Sequence, residues 1–167
     1  VTMSSPASSC SFSHSTVAYP HTEPRRGWHS IIVTLKPDHD SVAEARYIYP
    51  ADTASSVTIL SLRADCADDG TAGGFVGVLD VRGRVDLGGR VGVVSGSGVG
   101  VVRFDGRYDG VAYAPLVTGG GGRYDVVGLV SDGGGGWWVC GNASGPVTTA
   151  YGATVGGPHV DELYMHV

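Results

Sequence analysis

A single lysine, three glutamates, three cysteines and no apolar run approaching eighteen residues are what this chain of 167 residues has least of. The basic side chains, ten Arg and one Lys, are scattered singly against thirteen Asp and three Glu, giving a net charge of −5. With no basic stripe to neutralise a phosphate backbone, nucleic-acid binding and an Arg-rich coat-protein arm are both disfavoured. The missing long apolar run, and the missing apolar core behind a basic start, point to a soluble chain without membrane insertion. The chain opens at Val1 rather than at a methionine, as a processed product or a domain of something longer would. Cys10, Cys66 and Cys140 lie far apart without a CxxC pair, and an odd count leaves at least one thiol free. A chain of this length does not need staples, so buried apolar cysteines are expected, with one long-range disulfide as the alternative.

What is abundant is glycine, at 28 residues, more than twice its usual share of about 7%. No Gly-X-Y period accompanies it, which excludes collagen. Between Gly74 and Val102, ten Val and nine Gly fill twenty-nine positions. Valine is stiff at χ1 and fits a pleated strand, whereas glycine weakens a helix, so this segment predicts strands. No helix follows it to receive a phosphate, so it is not read as a phosphate-binding loop.

Residues 1–27, rich in Ser, Thr, Pro and His, read as an extended arm or linker. Residues 28–167 read as a single domain. Strands are predicted over Ser30–Leu35, Tyr47–Tyr49, Ser56–Arg63, Phe75–Val81 and Arg84–Leu87, with one helical turn over Ser41–Arg46 capped by Asp40 or Ser41. Gly88-Gly89 reads as a two-residue hairpin turn, and Ser95 to Gly98 as a second reversal into Val99–Phe104. The pairs Asp105-Gly106 and Asp109-Gly110 are strong turn signals. Beyond them lie strands over Val111–Val117, Tyr124–Ser131, Trp137–Cys140, Pro146–Tyr151 and Val160–Val167. About eleven short strands at this spacing predict an all-β, antiparallel two-sheet sandwich or jelly roll, with a barrel and a solenoid as lesser alternatives.

Few chemical motifs stand out. Cys140-Gly141-Asn142-Ala143-Ser144-Gly145-Pro146 resembles the nucleophile loop of chymotrypsin-like serine proteases, in which glycine turns aim backbone N–H groups at an oxyanion beside a serine. That resemblance implies Ser144 as nucleophile, with His39 and Asp65 or Asp69 upstream in the family's order. Ala143 replaces the expected Asp, the second Gly after the serine is absent, and His39 sits in a polar turn, so a plain β-turn is the preferred reading. Gly77-Val78-Leu79-Asp80 is similar to a strand of trimeric dUTPases, whose other motifs are not in place. Asn142-Ala143-Ser144 is also an N-glycosylation sequon, which requires an exposed loop. Asp65, Asp68 and Asp69 gather carboxylates without an EF-hand spacing, and a solvated acidic loop is the simpler account. The six histidines, His14, His21, His29, His39, His159 and His166, form no HxH or i, i+4 pair, so neither a metal nor another cofactor is expected.

Trp137-Trp138 follows four glycines. Neighbouring strand residues point to opposite faces, so one Trp is expected in the core and the other toward solvent or a partner. Three functional expectations follow. The first is a non-enzymatic structural or attachment module, of the virion-surface, coat-protrusion or fibre-head type, virion-borne or extracellular, that self-associates and binds a glycan or protein receptor through loops. The second is a carbohydrate-binding module using Trp137 or Trp138 with Tyr108, Tyr113 or Tyr124. The third is a serine hydrolase using His39, Asp65 and Ser144.

Overall fold

The computed structural model describes residues 9–12, 15–18, 30–35, 42–66 and 72–167. Within them the fold is all antiparallel strand: β1 (Ser9–Phe12), β2 (Ser15–Ala18), β3 (Ser30–Leu35), β4 (Val42–Pro50), β5 (Ser56–Cys66), β6 (Ala72–Asp86), β7 (Val93–Asp105), β8 (Gly110–Gly120), β9 (Arg123–Ser131), β10 (Trp137–Ser144), β11 (Val147–Thr149), β12 (Thr154–Val155) and β13 (Val160–His166). One large sheet runs β12-β11-β8-β7-β6-β4-β3, with β5 also paired to β6; a small sheet runs β13-β10-β9. The strands β1 and β2 form a separate hairpin. The two-sheet sandwich expected from the strand spacing is therefore the observed architecture.

The sandwich core lies between the sheets. Val76, Val78, Val99, Val101, Leu116 and Val117 from the large sheet meet Tyr124, Leu129, Trp137, Val139 and Ala143 from the small one. A second core covers the opposite face of β6 and β7, where Leu79, Val81, Val85, Val102 and Phe104 pack against Ile32, Ile48, Val57, Leu87 and Tyr108. Over Val76–Leu79 and Val99–Val102 the two central strands are thus buried on both faces, which removes the usual polar alternation there, whereas Arg82–Arg84 and Ser95–Ser97 at the other end of the ribbon are exposed. This accounts for the apolar part of the Val/Gly stretch.

Glycine is needed there for room as well. A Cβ added at Gly100 would lie 2.5 Å from the Tyr113 hydroxyl oxygen and 2.6 Å from its ring. The Tyr113 ring lies across the gap that Gly100 leaves in β7. The small sheet repeats the device, for a Cβ at Gly141 would lie 2.7 Å from the Tyr124 ring.

Three expectations are corrected. Residues 42–46 form no helical turn, because Val42, Glu44 and Ala45 pair with Leu35, Thr34 and Val33, and strand pairing overrides a fair local helix propensity; Asp40 and Ser41 lie outside the described residues. Ser95 to Gly98 makes no reversal: it lies inside β7, paired with Arg84 to Val81. The reversal between β6 and β7 is also longer than Gly88-Gly89, since the Leu87 N–H donates to the Gly92 carbonyl (2.9 Å) and the Gly92 N–H to the Gly88 carbonyl (2.9 Å). The Asp-Gly signals hold. The Asp105 carboxylate accepts from the N–H groups of Arg107 (2.8 Å) and Asp109 (3.1 Å), closing the β7–β8 turn.

The Gly100–Tyr113 contact yields a test. Gly100→Ala is expected to destabilise the protein by about 1–3 kcal/mol through overpacking. The same substitution in a Tyr113→Ala background is expected to cost less, giving a coupling of at least about 0.5 kcal/mol in a urea-denaturation double-mutant cycle. Additive costs would show that the ring does not occupy the glycine gap.

Candidate functional site

The strand β10 divides its residues between two environments. Trp137, Val139 and Ala143 point into the core, while Trp138 and Ser144 are exposed and Cys140 and Asn142 half-buried. Trp137 is 9% exposed and Trp138 43%, so the expected split of the tryptophan pair is observed. Pairing on both sides of β10 builds an outer face of four rows. They run Val130–Trp138–His166, Gly128–Cys140–Tyr164, Asp125–Asn142–Glu162 and Arg123–Ser144–Val160. The first two rows are apolar and aromatic; the last two are polar except for Val160.

Exposure marks this face as unusual. Val130 (57%), Tyr164 (59%) and Val160 (68%) join Trp138 there, and Val127, the extra residue of a bulge in β9, is exposed beside them. Gly128 contributes no side chain, and a Cβ there would meet nothing within 4 Å. An open notch therefore borders Cys140, between the valines of β9 and the aromatic residues of β10 and β13. The Tyr164 hydroxyl donates to Glu162 Oε2 (3.0 Å), a contact that raises the pKa of the phenol.

Trp138 is held by a chain of contacts. Its ring lies 4.7 Å from the His166 ring, and His166 Nε2 is 2.8 Å from Asp132 Oδ2. The other oxygen of Asp132 accepts from the N–H groups of Gly134 (2.7 Å) and Gly136 (2.9 Å). The glycine loop before Trp137 is thus a turn wrapped around one carboxylate. The Gly134 N–H first, and then His166, hold the Asp132 carboxyl below the ordinary carboxylate range.

A second concavity, about 580 Å³, lies between one end of the large sheet and β9. Its floor includes Gly98, Gly119 and Gly120, and its walls carry the ion pairs Arg82–Asp80 (3.4 Å) and Arg123–Asp125 (2.5 Å). The charges cancel pairwise, so the cleft selects neither anions nor cations by charge. The paired groups suit a neutral polar ligand that both accepts and donates hydrogen bonds.

The remaining candidate residues disperse. Tyr108, 4% exposed, stacks on Phe75 at 4.8 Å between ring centroids. Tyr124, 7% exposed, donates its hydroxyl to the Leu163 carbonyl (3.1 Å) across the inner side of the small sheet; burial pushes its pKa up. Tyr113 is half-buried over Gly100, with its pKa likewise raised by burial. These three, with Trp137, lie away from the outer face of Trp138 and pack within the fold. Ser144 ends β10 beside Arg123. Asp65 pairs with Gly74 at the start of β6, and its Oδ2 lies 2.7 Å from Arg103 Nη2, a charge contact without hydrogen-bond alignment. Arg123 borders the same cleft as Arg82, and Gly74 and Arg82 stand eight residues apart on β6, about 26 Å at the usual strand rise. The structure therefore does not bring Asp65 to Ser144. His39, Asp68 and Asp69 lie outside the described residues. Asn142 sits within a central strand, not in the exposed loop that glycosylation requires.

Among the described residues, no three His, Cys, Asp or Glu side chains gather to hold a metal, and no helix is long and apolar enough to cross a membrane. Of the face residues, sequence reasoning named Glu162, Tyr164 and His166 only as part of a closing strand that could pair across subunits, and Val130 only as part of a strand. Only the pairing of β13 with β10 brings them beside Trp138. Comparison with family models, curated proteins and solved structures gives no match.

The depressed Asp132 carboxyl has a definite sign. Its stabilising contacts are fully present above the ordinary value of 3.8 and are lost as pH falls through its lower folded value. The Asp132 carboxyl carbon, followed by NMR, is expected to titrate below 3.8. Asp132→Ala is expected to speed amide exchange at Gly134 and Gly136 while leaving β9 and β10 protected. An unshifted titration would show that the loop does not close on this carboxylate.

Proposed function

We propose that this chain is a non-enzymatic assembly or attachment module, of the kind displayed on virion or extracellular surfaces, that self-associates through the outer face of β9, β10 and β13. The observation that carries the reading is the row Val130–Trp138–His166 with Tyr164 beside it: large apolar side chains held exposed on the face of a sheet whose other face already fills the core. Single exposed apolar residues are ordinary, but a contiguous patch with a tryptophan at its centre is the composition of an interaction surface. The polar rows below it supply a rim.

Sedimentation or light scattering is expected to give a mass that rises with concentration above the 17.1 kDa of one chain. Trp138→Ala is expected to weaken the association by at least about tenfold, the effect of losing an interface anchor, with little change in melting temperature because the ring is outside the core. A single-chain mass at every concentration defeats self-association.

A carbohydrate-binding reading is favoured by one feature, the half-exposed Trp138 ring standing next to the hydrogen-bonding groups of His166 and Asp132. An aromatic plane flanked by polar side chains is a platform for a sugar ring. On that reading a glycan array gives signals that Trp138→Ala removes, and a blank array rejects it.

A further inference from the structure

Sheet edges in proteins are usually protected by brevity, bulges, prolines or lysines. In the two packed sheets, β12 has two residues, β9 carries a bulge at Val127, and the β5–β6 register shifts near Ile59 and again near Cys66. The strand β13 has no bulge, proline or lysine; of its two charged residues, Asp161 is engaged by the Gly157 N–H and Glu162 stands on the outer face. It runs Val160–His166 in unbroken register with β10, without Pro, Gly or Lys, and has no strand on its other side among the described residues.

The direction of its free groups follows from one pair. Val167 and Trp137 exchange both backbone hydrogen bonds, N–H to carbonyl at 2.9 and 3.0 Å. In an antiparallel ladder such pairs recur at every second residue, so Met165, Leu163 and Asp161 also bond to β10. The N–H and C=O groups of His166, Tyr164 and Glu162 therefore point to the open edge. These three residues also put their side chains on the outer face.

We infer that β13 is a homotypic pairing edge: a second copy of this chain adds its own β13 antiparallel, across a two-fold axis at Tyr164, extending the small sheet from three strands to six. The inference rests on the self-association reading above and names its geometry. Charge and polarity select the register. Centred on Tyr164, Glu162 of each copy faces His166 of the other, Tyr164 faces Tyr164, and on the inner side Leu163 faces Met165. All outward backbone groups of the three edge residues then pair. Centred on Leu163, His166 would instead face Val160, and centred on Met165 it would face Tyr164; both lose the Glu162–His166 pairing. In the chosen register Asp161 lies opposite Val167, but its carboxylate is already engaged by the Gly157 N–H (2.9 Å). The aromatic patch of each copy continues into the other through the Tyr164 pair, so edge and face form one interface.

Two kinds of variant test this in the full chain. Tyr164→Pro removes an N–H that points outward and leaves the β10 ladder intact; it is expected to convert the dimer to a monomer while β9 and β10 keep their amide-exchange protection. Cysteines are placed in a background where Cys10, Cys66 and Cys140 are serine, since Cys140 neighbours Tyr164 across the strands. Tyr164→Cys is expected to cross-link two chains on mild oxidation, a directly opposed pair having the separation a disulfide needs. Glu162→Cys alone is expected not to, its two copies being offset by four residues, about 13 Å, whereas Glu162→Cys with His166→Cys does. A dimer that survives Tyr164→Pro, or that cross-links through Glu162→Cys alone, overturns this edge and register while leaving self-association standing. A wild-type mass of one chain at every concentration overturns both.

Discussion

The structure depends on the burial of β6 and β7 from both sides. These strands pair without a register shift from Gly74–Asp105 to Asp86–Val93, and every other part of the large sheet is attached to them. One face supplies Val76, Val78, Val99 and Val101 to the core under the small sheet. The other supplies Leu79, Val81, Val102 and Phe104 to the core closed by β3, β4 and β5. A one-residue slip in this ribbon would exchange the two sets and place side chains of the wrong size in both cores. Small and β-branched residues dominate over Val76–Leu79 and Val99–Val102 because both faces are close-packed there.

Glycine in a strand normally costs stability through backbone entropy and lost packing. Here the gap over Gly100 is filled by the Tyr113 ring and that over Gly141 by Tyr124. The aromatic surface lost from solvent in this way offsets part of that cost. Tyr124 adds a hydrogen bond to the Leu163 carbonyl, running beneath β10 from β9 to β13. The edge strand of the small sheet is therefore tied to the core from below as well as paired along its length.

This arrangement explains what was legible in the sequence. Strand spacing and the Asp-Gly pairs around Tyr108 declare the fold class and one hairpin, because alternation and turn chemistry are local. The turn mistaken at Ser95 to Gly98 has the composition of a loop, and only the opposing residues Val81 to Arg84 show it to be strand. The same limit hid the roles of Tyr113 and Tyr124. Nothing near them in sequence announces the glycine they cover; the partner is thirteen residues away for one and seventeen for the other. The tryptophan pair was legible because its inference required only the two-residue period. The face around Trp138 was not, since it assembles residues from three strands.

That face is also rigid in a way that bears on binding. Trp138 leans on His166, His166 meets Asp132, and Asp132 accepts from two amides of the glycine loop. A run of four glycines would otherwise be among the most mobile segments in the fold. Once wrapped around a carboxylate it becomes a support for the ring instead. An aromatic side chain fixed before a partner arrives loses less rotational freedom on binding, so more of its contact energy remains to stabilise the complex. The contacts behind Trp138 thus matter to an interaction surface as much as its exposed area does, and Val127, though more exposed, shares in none of them.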